Sequence, residues 1–186
     1  MFKGSQIVIG RKVDDQILTA LDTGTLGNSA TASTDALGMF YHGLSALGYG
    51  NALSVADGDI TLVCSIGFYA NLAKTKEFVN KEYVDVTRLN NGIPTQMRME
   101  RFMRVNIIVH NGISGAGTSS EKCFMFHRDA VGHAIDKETF NPLFGFNEEQ
   151  NYSWVRCSSY MAAAKLQNGG IIQLLHDGSA YATTTV

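Results

Sequence analysis

The sequence predicts an α+β (mixed α/β) domain, and three observations carry that prediction. Ile9, Val13, Ile17 and Leu21 recur at four-residue spacing, the stripe of an amphipathic helix. The apolar run Ile60–Cys64 passes directly into Ser65 and then Phe68, Tyr69 and Leu72, a strand feeding a Ser-capped helix. Two further apolar runs, Arg101–His110 and Lys122–His127, have the spacing of strands. Helices and strands therefore interleave along the chain, which is the pattern of a mixed layer rather than an all-β protein.

Each element follows in order. The first helix, Ile7–Leu21, should end near Asp22-Thr-Gly24, with Arg11 placed to pair with Asp15 one turn on. Residues 22–34, DTGTLGNSATAST, are small and polar and read as a mobile loop without a fixed element. Thr34 or Ser33 can cap a second helix bearing Leu37, Phe40, Tyr41, Leu44 and Leu47, which Gly48 and Gly50 terminate. An Asp57-Gly58 turn precedes the strand Ile60–Cys64. KEYVDV reads as a short edge strand, and RLNNGIPTQMRME holds an Asn-Gly turn.

Arg101–His110 and Lys122–His127 read as a β-hairpin, with Met103, Val105, Ile107 and Val109 on one face and a long Gly/Ser loop between the strands. The second of these strands has little polar alternation and should be covered on both faces. Val131–Asp136 continues as a strand, and Lys137–Gln150 reads as a turn-rich excursion. Tyr152–Ala164 reads as one long strand, with Tyr152, Trp154, Arg156, Ser158 and Tyr160 on one face. Gly169-Gly170 turns the chain into Ile171–His176, and the tail GSAYATTTV should fray.

Composition narrows the function classes. A chain of 186 residues can fill one core, and 45% hydrophobic with 17% charged residues describes a weakly charged globular protein. A net charge of −2 advertises neither nucleic acid nor a membrane surface. Cys64, Cys123 and Cys157 are odd in number, far apart and set in apolar segments. They predict small core residues in a reducing compartment, not a disulfide framework or a zinc site. No apolar h-region follows Met1-Phe-Lys-Gly, so the chain is expected not to be secreted, and no apolar run approaches the ~18 residues of a membrane helix.

The tempting chemical motifs fail on spacing. GISGAG at Gly112–Gly117 resembles a phosphate loop, but it leads into a strand instead of a helix and lacks the Gly-Lys-Ser/Thr ending. His127 and His133 would lie roughly 20 Å apart on one strand face, too far to share an ion; a tight turn at Arg128-Asp129 would shorten that distance, but no third ligand stands nearby in sequence. Asp14 and Asp15 point about 100° apart on a helix and cannot act as a carboxylate pair. Cys157 has Arg156 beside it in sequence, but strand geometry sends that side chain to the other face. The reading assigns no catalytic, cofactor-binding or metal residue, and predicts no enzyme.

With these residues laid out, the chain resembles a tailed-bacteriophage major capsid (coat) protein. The resemblance rests on the helix GRKVDDQILTAL, the pair LVCSIGFYANL and the strand RVNIIVHN with its loop. The block KCFMFHRDAVGHAI and the ending YSWVRCSSYMAAAKLQNGGIIQLLHD complete it, so that it spans roughly Gly10–Asp177. Each motif is weak, and the order supplies the specificity. The resemblance implies an end of a spine helix at residues 1–21, an axial-type α/β domain at 22–163, and a terminal strand returning to the peripheral domain at 164–186. It implies the C-terminal part only of such a protein, since an N-terminal arm, an extended loop and most of the spine helix precede the matching part in a whole coat protein.

The implied function is homotypic association of a structural protein, as a coat protein or a prophage-derived fragment of one. The implied partner is self, as a pentamer or hexamer, with packaged DNA nearby but no specific nucleic acid and no membrane. Its place would be the virion capsid or the bacterial cytoplasm. Subunit contacts are expected at the locally basic Arg88, Arg98, Arg101 and Arg104 and at the loop residues Asn111, Ser114, Thr118 and Glu121. The alternative is a stand-alone binding module whose Gly-rich loops close over a small ligand or partner strand. A deep pocket lined by His127, His133 or Cys157 would favour it.

Overall fold

The computed structural model describes residues 2–27, 31–50, 52, 59–79, 100–136, 143–156 and 158–182. In order these form α1 (Phe2–Asp22), α2 (Ala36–Tyr49), β1 (Ile60–Cys64), α3 (Ile66–Ala73), α4 (Lys76–Val79), β2 (Glu100–Phe102) and β3 (Val105–Val109). There follow β4 (Glu121–His127), β5 (Val131–Ile135), β6 (Leu143–Asn147), β7 (Tyr152–Arg156), β8 (Met161–Lys165), β9 (Ile171–His176) and α5 (Ser179–Ala182). The expected α+β class is what this order gives. Asp57-Gly58, KEYVDV, Arg88, Arg98 and Cys157 lie outside the described residues.

A five-stranded mixed sheet, ordered β2-β3-β1-β4-β9, is the centre of the fold. Its middle strands are buried on both faces, and alternation along β4 shows how. Cys123 and Met125 point into a core with Phe40, Leu47, Leu62, Phe68, Leu72 and Ile172, beneath α2 and α3. Phe124 points the other way, into a cluster with Leu21, Ala130 and Ile171 at the end of α1. The end of α1 is tied down by polar contacts too: Lys122 Nζ lies 2.8 Å from Asp22 Oδ1, and Lys165 Nζ donates to the Thr23 carbonyl at 2.9 Å.

Several expectations change. Arg101–His110 and Lys122–His127 are not a hairpin, because β1 lies between β3 and β4, parallel to the first and antiparallel to the second. The true hairpin is β2–β3, closed by Met103 and Arg104 at φ 47° and 67°. Two successive left-handed residues match the twist of a tight two-residue turn, and they take Met103 off the core face. The cap of α2 is neither Thr34 nor Ser33 but Asp35, whose Oδ1 accepts from the Gly38 amide at 2.9 Å. Ser33 serves that cap indirectly, accepting from the Asp35 amide at 3.1 Å.

The 22–34 segment is not a featureless loop in its described parts. Gly27 and Ser33 bridge in parallel to Gln173 and His176, so the segment covers the outer edge of β9. The single strand expected at Tyr152–Ala164 is two, β7 and β8, in separate ladders, and the turn-rich excursion contains β6. They pair as a ribbon in two ladders: β5 with β8, then β6 with β7. The first half packs on α1, while the second half carries exposed aromatic side chains. The domain boundary expected at 163/164 falls inside β8, and β9 belongs to the central sheet. The tail does not fray through residue 182, since α5 packs on α3. Among the described residues no Arg11–Asp15 ion pair forms; Asp14 faces His110 Nε2 instead, at 3.4 Å.

Candidate functional site

Core packing brings the ends of β1, β4 and β9 together, and three polar residues meet there. Ser65 leaves β1 with extended backbone, and its Oγ accepts from the Phe68 amide at 3.0 Å, capping α3. Its hydroxyl proton is then free to donate to Glu121 Oε2, at 2.5 Å. Glu121 opens β4 and stands directly across from His176, the last residue of β9. Both are buried, Glu121 at 1% exposure and His176 at 0%.

The hydrogen bonds set the proton positions. His176 Nδ1 lies 2.6 Å from Glu121 Oε2. An ionised carboxylate can only accept, so Nδ1 carries the hydrogen. Nε2 accepts from Asn71 Nδ2 at 2.9 Å, and Asn71 Oδ1 accepts from the Tyr181 hydroxyl at 2.7 Å. The other carboxylate oxygen accepts from the Gly117 amide at 2.7 Å. One charge is therefore held by three donors in the protein interior, the condition under which a buried carboxylate is tolerated. Phe68 packs edge-on against the His176 ring at 5.2 Å between centroids, and Lys74 Nζ sits 4.8 Å over the Tyr181 ring.

A serine, a histidine and a glutamate together invite comparison with a nucleophilic triad. The connectivity is wrong for one. In a triad the imidazole stands between hydroxyl and carboxylate. Here the carboxylate stands in the middle, the far imidazole nitrogen is engaged by Asn71, and the hydroxyl, 2% exposed, is spent on a helix cap. The arrangement fastens α3, the 111–120 loop, β9 and α5 to one another. The neighbouring thiols are equally closed off: burial pushes Cys123 up to about 12, and Cys64 is likewise raised by burial.

A cleft of about 240 Å³ borders this hub, lined by Gly67, His110, Asn111, Ala116 and Tyr181 among others. It is not the His127–His133 pocket that a binding module would need. His127 Nδ1 accepts from the Asp129 amide at 3.3 Å, closing a local turn, and among the described residues His133 Nε2 is buried without a hydrogen-bond partner. Among the described residues no group of three His, Cys, Asp or Glu side chains could hold a metal ion.

The residues expected at subunit contacts separate. Asn111, Ser114 and Thr118 are exposed on the 111–120 loop. That loop is well tied, through Lys122 N to Ser114 O at 3.0 Å and Gly178 N to Thr118 O at 3.0 Å. Arg104 is exposed in the β2–β3 turn, and Arg101 Nε donates to Asn106 Oδ1 at 2.9 Å. Glu121 is corrected: it is an interior residue of the hub, not a surface one. His176, Asn71 and Tyr181 had no local signal, since their partners lie 55 to 110 residues away.

The model of the phage capsid protein family matches residues 45–178, a stretch that contains Ser65, Asn71, Glu121 and His176 and the whole central sheet. The chain belongs to the phage capsid protein family. Solved structures share the capsid fold at low identity. The chain is similar to one of Mycobacterium phage Che8, with 13% identity and a TM-score of 0.72 over 93% of this chain and 61% of that one. It is similar to the SrpI encapsulin complex of Synechococcus elongatus, at 10% identity and a TM-score of 0.61 over 96% of this chain and 65% of that one. A virus-like particle from Pyrococcus furiosus matches at 14% identity and a TM-score of 0.57, over 90% and 64%. No curated protein matches in sequence. This capsid-family chain thus spans under two thirds of the length of the solved chains it matches.

Proposed function

We propose that the chain is a structural coat subunit that acts by associating with copies of itself. The family match over residues 45–178 is the observation that carries this reading. The hub supports it from the chemical side, because its polar groups are consumed in holding segments together and none is presented to a substrate. No cofactor or turnover is assigned. In this reading α1 is the end of a spine helix, and the copies group as pentamers or hexamers in a virion capsid assembled in a bacterial cytoplasm. Asn111, Ser114, Thr118, Arg101 and Arg104 are placed near subunit contacts, together with Arg88 and Arg98.

The test is physical. Sedimentation of the full chain across a wide concentration range should show discrete oligomers, and negative-stain images at high concentration should show rings or shells. A strict monomer throughout would remove self-assembly of this chain from the reading.

A further inference from the structure

The distal half of the ribbon, β6–β7, carries more apolar surface than a free two-stranded hairpin can keep in water. Its two faces differ. On one, Trp154 lies across Gly145, so closely that any β-carbon there would strike the indole ring. Trp154 shields Gly145 there, while Leu143, Tyr152 and Trp154 itself stay 55%, 47% and 39% exposed. On the other, Phe144 and Phe146 are 67% and 57% exposed. Beyond Phe146 the chain turns through Glu148-Glu149, a bend held by Asn147 Oδ1 accepting from the Glu149 and Gln150 amides at 3.0 and 3.2 Å. The tip thus pairs an apolar face with two negative charges.

The first half of α1 presents the complement. Ile7 and Val8 are 57% and 64% exposed, and Arg11 and Lys12 follow one turn later, also exposed. At 100° per residue these four occupy one band of the helix, with Asp15 next along it. None of Arg11, Lys12, Glu148 and Glu149 has an ion-pair partner among the described residues.

We infer that the ribbon tip of one copy docks on the outward face of α1 in a neighbouring copy. Phe144 and Phe146 would cover Ile7 and Val8, and Glu148-Glu149 would face Arg11-Lys12. The inference rests on the proposed self-association and deepens it. Tip and helix are different patches of one chain, so the contact either repeats head-to-tail from copy to copy or is made twice across a two-fold axis.

Charge reversal tests this. All eight side chains are at the surface, so Glu148→Lys/Glu149→Lys and Arg11→Glu/Lys12→Glu variants should keep the wild-type circular dichroism. Each variant alone should self-associate about tenfold more weakly in sedimentation velocity, and mixing the two should restore association, because each then offers what the other lost. Phe144→Ser/Phe146→Ser should weaken association without rescue in any mixture. Wild-type association by all variants would overturn the docking surface and leave the coat-subunit reading standing. Failure of the unaltered chain to associate at any concentration would overturn both.

Discussion

His176 Nδ1 stands 2.6 Å from Glu121 Oε2, and the two residues are cross-strand partners at one end of β4 and β9. Because the same carboxylate also receives Ser65 and Gly117, it joins the ends of three strands and a loop through one buried charge. Removing either member strands the other in the interior. His176→Ala leaves the buried carboxylate short of a donor and should cost about 3–5 kcal/mol of unfolding free energy, whereas Glu121→Ala orphans neutral donors and should cost about 1–3 kcal/mol. The double variant should cost clearly less than the sum, as contacting residues do. Denaturant melts of the four species would check this, and strict additivity would show that the pair is not coupled.

Gly178 packs against the Glu121 carboxylate so closely that a β-carbon would overlap its oxygens. Gly178→Ala should therefore destabilise by about 1–3 kcal/mol, as overpacking does. Gly10, where a β-carbon would meet nothing within 4 Å, is the control. Alanine there should be neutral or stabilising, by about 1 kcal/mol at most, because it favours the helix. Thermal melts that place both variants together would contradict the tight contact.

The buried thiols give a pH dependence of definite sign. Burial raises Cys123 to about 12 in the folded chain, whereas an unfolded cysteine loses its proton near ~8.5. Above ~8.5 the unfolded state binds fewer protons than the folded one, so stability falls as pH rises through this window. The expected slope is about 1.4 kcal/mol per pH unit for each such thiol. Cys123→Ala should flatten the slope at pH 9–10 by about that amount. In the native protein, Cys64 and Cys123 should resist alkylation at pH 8 until denaturant is added.

Met103 occupies a left-handed position at φ 47°, with its side chain 39% exposed in the turn. Met103→Asn should stabilise the β2–β3 turn by about 0.5 kcal/mol, since asparagine tolerates this conformation better. A lowered melting temperature would mean that the Met103 side chain has a packing role.

Elements with a local cause were legible in the sequence. Ser65 capping α3 could be read because the hydroxyl and the amide it caps are three residues apart. The stripe of α1 and the termination of α2 at Gly50 are local in the same way. What failed was pairing. The order β2-β3-β1-β4-β9 places β1 between two strands that follow it in the chain, and no periodicity records that insertion. The same blindness hid the hub: Glu121 read as the end of a soft loop because nothing near it in sequence announces Ser65 or His176. Met103 was misplaced for a different reason, since an apolar residue in a tight turn mimics strand alternation.

The position of β9 bears on how the chain folds while it is being made. β9 closes the sheet against β4 and supplies Ile171, Ile172 and His176 to the interior. The segment before α2, synthesised some 140 residues earlier, has its only described bridges to that strand. Until β9 emerges, α1, α2 and β1 have no completed sheet to bury them. The segment before α2 and strand β9 must meet before either is satisfied, a long loop closure that slows folding. A chaperone that shields the emerging half until residues 171–176 leave the ribosome would raise the yield of folded subunit.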